Sequence, residues 1–123
     1  MNALTTKRQC FTVDLRNDPD AIERYAEFHK PGGPPAAVSK SLRDCGITLM
    51  EIYLIANHLF MIMEVNEHYS PELRSRIDAN TPEVQAWAKL MDTMQVALPI
   101  PSNDSGAGNW RRLECIYRLA DQP

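Results

Sequence analysis

Cysteine is scarce and odd in number, with Cys10, Cys45 and Cys115 the three in 123 residues. None belongs to a C-x-x-C pair or stands near histidines at zinc-finger spacing, which excludes a disulfide scaffold and a structural zinc site. Small, buried apolar side chains are the expectation for all three. Positive charge is not in excess either. Lys and Arg number 13 against 16 Asp and Glu, a formal charge of -3, and the basic residues are dispersed, so little is available to hold a nucleic-acid backbone. Long apolar runs are missing. The strongly apolar stretch Leu59 to Met63 falls far short of the roughly 20 residues of a membrane span, and Met1 to Gln9 has no apolar signal core. No nucleic-acid or membrane partner is expected, and the cytoplasm is the expected location. Glycine occupies five positions and builds no phosphate loop. G-x-S-x-G elbows, H-E-x-x-H helices and EF-hand loops are absent as well, so neither a metal nor a cofactor is expected.

What is present is an ordinary globular composition, 44% apolar, in the length of one domain, expected to span residues 1–123. Cys10-Phe11-Thr12-Val13-Asp14-Leu15 alternates with period two and reads as a strand with Phe11, Val13 and Leu15 on one face. Asp18-Pro19 then starts a helix, with Asp18 as N-cap and Pro19 in the first turn, predicted to run to about His29. Pro31-Gly32-Gly33-Pro34-Pro35 breaks it. A shorter helix is predicted over Ala36 to Asp44, with Gly46 as its stop. Ile47 to Leu54 and Leu59 to Val65 read as strands joined by a four-residue connection, Ile55 to His58. Ser70-Pro71-Glu72 and Thr81-Pro82-Glu83 each start a helix, the first to about Ala79, the second to Met94 with Val84, Trp87, Ala88, Met91 and Met94 on one side. Ser102 to Asn109 reads as a polar loop, and Trp110 to Leu119 as a last strand with Leu113, Cys115, Tyr117 and Leu119 on one face.

The string is β-α-β-β-α-β with the first α split, an α+β ferredoxin-like pattern. In that fold helices cover one sheet face only, yet Leu59-Phe60-Met61-Ile62-Met63 is apolar on both. A second subunit, a ligand pocket, or both must cover the other face. A homodimer, forming a dimeric α/β barrel, is the expectation.

His29 is the histidine of interest. It stands at a helix C-terminus, four residues after Tyr25 and on the same face, where the helix dipole favours a protonated ring. An imidazole near its reference pKa of about 6.5 suits acid–base work; the alternative is a ring that only caps the last carbonyls. His58 and His68 read as surface residues. Glu51 and Tyr53 share one face of their strand and could point into whatever occupies the open face, though a solvated edge fits Glu51 equally. Trp87 and Trp110 are either core aromatics or platforms for a sugar ring.

These residues bring a family into view. The chain resembles the L-rhamnose mutarotase family, small dimeric ferredoxin-like proteins that interconvert the anomers of 6-deoxy sugars. The resemblance runs from Cys10 to Leu119. It rests on Tyr25-x-x-x-His29, Gly46-Ile47, Met50-Glu51-Ile52-Tyr53, Asn57-His58-Leu59-Phe60-Met61-Ile62-Met63-Glu64, Val84-Gln85-x-Trp87 and Ile116-Tyr117-x-Leu119, with the opening strand. It implies a monosaccharide substrate, His29 as proton donor, and Tyr25 and Trp87 against the sugar. On that footing His29 protonates the ring oxygen while Tyr25, Glu51 or a water removes the anomeric proton, and Tyr25, Met50, Glu51, Tyr53, Trp87 and Ala88 are the candidate sugar-binding residues. Three departures stand out. The usual Trp-Pro-Glu segment is replaced by Pro31 to Pro35, the second of the paired helix tryptophans is Ala88, and a sugar-contacting strand tyrosine is Met50. These remove aromatic surface from the pocket and alter its entrance. The Met-Glu-Ile-Tyr and Leu-Phe-Met-Ile-Met-Glu strings point to a branch associated with L-fucose, placing L-fucose ahead of L-rhamnose. The rivals are a cofactor-independent monooxygenase or dehydratase on a dimeric barrel, and a non-catalytic sugar-binding dimer.

Overall fold

A computed structural model describes residues 7–102 and 108–123. The polar lead before Lys7, and most of the loop read from Ser102 to Asn109, lie outside the described residues. Strand β1 (Lys7–Leu15) is followed by helices α1 (Pro19–Phe28) and α2 (Ala36–Asp44), the hairpin β2 (Ile47–Ile55) and β3 (His58–Val65), helices α3 (Pro71–Ala79) and α4 (Pro82–Asp92), and the short strands β4 (Gln95–Val96) and β5 (Arg111–Arg112). The sheet is antiparallel in order β2-β3-β1-β4, with β5 also on β1. This is the ferredoxin-like α+β arrangement, helices on one face and the other face open.

Local chemistry accounts for the helix starts. Asp18 accepts a hydrogen bond from the Asp20 N–H at 3.0 Å, and Ser70 from the Leu73 N–H at 3.0 Å, each offsetting a donor the first turn leaves unpaired. Thr81 departs from the pattern. Its hydroxyl donates back to the Ile77 carbonyl of α3 at 2.7 Å, so it ties the two helices together instead of capping the second. Helix α4 ends two residues before the predicted Met94, which is buried at the entry to β4. At the other helix break, Gly46 adopts φ +99, and a Cβ there would lie 2.5 Å from Asn66 Oδ1 and 3.0 Å from Tyr69 N.

The hairpin is tighter than the predicted four-residue connection. Ile55 pairs with His58, leaving Ala56 and Asn57 as the turn, with Ala56 left-handed at φ 52. A left-handed alanine costs about 1 to 2 kcal/mol. Asn57 offsets it: its carbonyl accepts from the Leu15 N–H at 2.7 Å and its side chain donates to the Leu15 carbonyl at 3.0 Å.

Two features of the sheet bear on function. The β2–β3 register shifts between Ile47 and Leu49, and the extra residue at this bulge reverses which parity faces the helices. Beyond it Met50 and Ile52 sit beside the buried Met63 and Met61, on the helix side, while Glu51 and Tyr53 pair with Ile62 and Phe60 on the open side. The fourth strand position is also filled in two pieces, β4 opposite Asp14 and Leu15 and β5 opposite Phe11 and Thr12. The predicted long last strand is thereby corrected to two residues. One more backbone bond, Leu113 N–H to the Cys10 carbonyl at 2.8 Å, extends it. Beyond that no ladder forms as far as a 3-10 turn at Leu119–Asp121, and Ile116, Tyr117 and Leu119 stand exposed. Their alternation is real, but period two specifies a paired strand only where another strand lies alongside. The same departure exposes Cys115, against the expectation of burial, whereas Cys45 is buried and Cys10 partly so.

The core lies between sheet and helices. Phe11, Val13, Leu15, Leu59, Met61, Met63 and Val65 meet Tyr25, Cys45, Met91, Met94 and Trp110 there. The open face carries the exposed Tyr53, Ile55 and Phe60. Among the described residues, no helix is long and apolar enough to cross a membrane.

Candidate active site

The i, i+4 spacing of Tyr25 and His29 stacks their rings at the end of α1, centroids 4.4 Å apart and planes 26° from parallel. Trp87 of α4 meets the imidazole edge-on, 5.3 Å between centroids at 67°, and Phe28 in turn abuts Trp87 at 6.5 Å and 86°. Tyr25, His29 and Trp87 line a cavity of about 550 Å³ that runs between the helices and β2. That size suits a small organic ligand.

Helix α1 ends one residue sooner than predicted, at Phe28, with His29 as its C-cap. There the ring Nδ1 lies 2.6 Å from the Tyr25 carbonyl oxygen. A carbonyl only accepts, so Nδ1 carries the hydrogen and Nε2 is the nitrogen left for a ligand. Nδ1 therefore caps the helix, and the cap does not occupy Nε2. Burial pushes the imidazole below its usual pKa, and the bond to the Tyr25 carbonyl only partly opposes this. This corrects the expectation from the helix dipole. Taking the ring out of water disfavours its cation more than the helix end favours it, so the resting ring is neutral at pH 7.

Tyr25 is buried, and burial raises its phenol pKa. Gln95 of β4 donates its side-chain N–H to the Tyr25 oxygen at 3.1 Å, which leaves the phenolic hydrogen available to a ligand oxygen. Sequence reasoning did not single out Gln95; it stands 70 residues from Tyr25, and no local pattern marks such a contact.

Of the other sequence candidates, Met50, Trp87 and Ala88 line the cavity with Tyr25 and His29. Glu51 and Tyr53 do not join them. They alternate with Met50 and Ile52 onto the opposite sheet face, where the Tyr53 hydroxyl donates to Glu51 Oε1 at 2.5 Å. Within one chain the sheet separates them from His29. Neither is placed against a ligand of this cavity, which corrects their expected place among the sugar-binding residues, and Glu51 is not placed to be its base. His58 is at the surface as read, paired with Asp14 at 2.7 Å. Trp110 is buried and also lines the cavity. The Pro31 to Pro35 segment packs down on α1: a Cβ on Gly33 would lie 2.2 Å from the Phe28 carbonyl oxygen, and Pro34 reaches the cavity wall. Among the described residues no group of three or more His, Cys, Asp or Glu could hold a metal ion.

Comparison with known proteins bears on this geometry. A family model described as L-rhamnose mutarotase matches residues 8–119. The chain is 33% identical over 118 residues to an L-fucose mutarotase of Xanthomonas campestris pv. campestris, covering 96% of this chain and 92% of that protein. It is 31% identical over 121 residues to a UPF0734 protein of Dictyostelium discoideum, covering 97% and 94%. A crystal structure of an L-rhamnose mutarotase from Formosa agariphila superposes with a TM-score of 0.57 at 18% identity, over 92% of this chain and 98% of that one, a likeness of fold.

Proposed function

The chain belongs to the L-rhamnose mutarotase family, isomerases that act on sugar anomers, and we propose that it interconverts the α and β anomers of a 6-deoxy-L-hexose, L-fucose ahead of L-rhamnose, with His29 as the acid–base residue. The observation that carries this reading is the engagement of Nδ1 by the Tyr25 carbonyl, which leaves Nε2 of a neutral, cavity-lining imidazole free. Two observations favour L-fucose: the relative of that specificity aligns over most of this chain, and Met50 and Ala88 stand on the cavity wall where larger aromatic rings are usual for rhamnose.

The neutral ring begins as a base. Nε2 takes the proton of the anomeric hydroxyl; the C1–O5 bond breaks as the C1 carbonyl forms; the imidazolium then gives its proton to O5. His29 is thus the proton donor of the second half-step. Rotation about C1–C2 and closure on the other face reverse the sequence and yield the other anomer. The proton balance closes on one side chain and requires no cofactor. Tyr25, a neutral phenol held by Gln95, donates to a sugar oxygen, and Trp87 offers its ring to the apolar edge of the sugar. Each positioned proton-transfer group contributes about 10² to 10⁴ in rate.

A second copy of the chain completes this reading. Tyr53, Ile55 and Phe60 expose a patch on the open sheet face, and Ile116, Tyr117 and Leu119 expose another on a segment without a partner. A homodimer buries both, each chain acting as one catalytic unit. Anomer exchange followed by proton NMR on L-fucose and L-rhamnose, with and without protein, tests the function. Accelerated exchange, faster for L-fucose, is expected; no acceleration on either sugar overturns the reading.

A further inference from the structure

Tyr25 can donate to a sugar oxygen only while its phenolic hydrogen stays out of the protein's own hydrogen bonds. Three polar side chains behind it decide this. Gln95 Nε2 donates to the Tyr25 oxygen at 3.1 Å, Asn109 Nδ2 donates to Gln95 Oε1 at 3.4 Å, and the same Nδ2 donates to Asp92 Oδ1 at 3.4 Å. Asp92 is the exposed last residue of α4, whereas Tyr25 is 4% exposed, so the chain of bonds runs from the rim inward. Asn109 sits between Gly108 and Trp110, and both of these line the cavity of His29 together with Asp92, Gln95 and Tyr25. Arg111 Nη1 donates to the Gly108 carbonyl at 3.3 Å, which holds this turn against the wall.

The direction of the chain is set at its far end. An amide presents a donor on one side and an acceptor on the other, so two amides in series satisfy each other equally well when both are turned over. Turned over, Gln95 would face Tyr25 with its oxygen and accept the phenolic hydrogen. A carboxylate breaks the tie, because it accepts and does not donate. The turned-over chain would set the Asn109 oxygen against the Asp92 carboxylate. Asp92 therefore keeps Nδ2 of Asn109 facing itself and Gln95, Gln95 offers Oε1 to Asn109 and Nε2 to Tyr25, and the Tyr25 hydrogen is left for a ligand. Bonds of 3.4 Å are long and add little stability; what they supply is direction. We propose that Asp92, Asn109 and Gln95 are positioning residues that fix Tyr25 as a hydrogen-bond donor to the sugar. The proposal rests on the mutarotase reading, and its test keeps the two apart.

The test is a set of double-mutant cycles on KM and kcat for anomer exchange of L-fucose. Gln95→Glu, Gln95→Leu and Asp92→Asn are each made in the wild type and in Tyr25→Phe, and each protein is checked by thermal melting. Glutamate has the size of glutamine but only accepts, so it takes the phenolic hydrogen from the ligand, whereas leucine merely lets the hydroxyl go. Gln95→Glu is expected to raise KM about tenfold, the loss of one hydrogen bond to the sugar, and Gln95→Leu by less, with the change falling on KM more than on kcat. Asp92→Asn restores the tie between the two directions and is expected to raise KM about twofold, since half the molecules then present the hydrogen. Standing at the rim, it carries the test where a half-buried glutamate impairs folding. In Tyr25→Phe no phenolic hydrogen remains to direct, and all three changes are expected to leave KM where Tyr25→Phe puts it. A merely structural glutamine gives the opposite order, because the isosteric glutamate would then be the milder change. A KM raised more by Gln95→Leu than by Gln95→Glu, or changes of equal size in both backgrounds, would overturn the relay alone. No exchange by the wild type on either sugar would overturn the mutarotase reading and the relay with it.

Discussion

Replacing His29 separates the helix cap from the proposed acid–base role, because the two fall on different nitrogens. His29→Ala removes the bond from Nδ1 to the Tyr25 carbonyl at 2.6 Å, worth about 1 kcal/mol, and the ring contacts at 4.4 and 5.3 Å with Tyr25 and Trp87, worth about 1 kcal/mol more. A loss of about 2 kcal/mol from a stability of about 5 kcal/mol or more leaves over a hundred folded molecules for each unfolded one. Unfolding therefore cannot account for a large loss of activity at 25 °C. The loss of proton transfer is expected to lower exchange by about 10² to 10⁴. His29→Asn is the discriminating variant. Its amide nitrogen occupies nearly the place of Nδ1, so it restores the helix cap and about half the lost stability, yet it has no basic nitrogen and stays as inactive as the alanine. The assay is anomer exchange by saturation-transfer proton NMR, alongside calorimetric melting of each variant. Exchange within threefold of wild type in His29→Asn would refute the assignment, since a cap would then suffice.

The pH profile carries a second expectation. Because the folded state holds His29 below its ordinary pKa, the active base form persists below pH 6.5, and exchange falls only as pH drops through the lowered value. The stability that the neutral ring contributes is fully present above pH 6.5 and is lost as pH falls from there through the folded pKa; an NMR titration of the ring with a midpoint at or above 6.5 would contradict both. Gly46→Ala forces a side chain into a left-handed position with Asn66 Oδ1 only 2.5 Å away, and about 2 to 4 kcal/mol of stability is expected to go. A melting curve shifted by less than a few degrees would show the turn to be adaptable. Phe60→Asp places a charge on the open sheet face and is expected to convert a wild-type dimer into monomers by sedimentation velocity, while a wild type that sediments as a monomer removes the second subunit from the picture.

How much was legible follows the range of each interaction. Asp18-Pro19 and Ser70-Pro71 announce helices because a cap is a contact between residues two or three apart. The alternation of Phe11, Val13 and Leu15 likewise contains its own meaning, one buried face. Tyr25 and His29 were found because four residues is one helical turn. The bulge at Thr48 was not legible: nothing in Ile47-Thr48-Leu49 marks an extra residue, since bulges are read from the partner strand. Gln95 escaped for the same reason, entering the cavity through packing between elements far apart in the chain. The segment from Glu114 to Leu119 is the opposite case, a clear local pattern that no strand among the described residues flanks.

The bond from His29 to the Tyr25 carbonyl also makes the length of a helix a functional quantity. Each residue added to α1 would turn its end by about 100° and advance it by about 1.5 Å, swinging Nε2 from the cavity toward solvent or into the sheet while leaving the helix itself as stable as before. With His29 in the proposed acid–base role, insertions that a purely structural helix would absorb are expected to abolish exchange, and a survey of tolerated indels is expected to find a silent gap across residues 19–29.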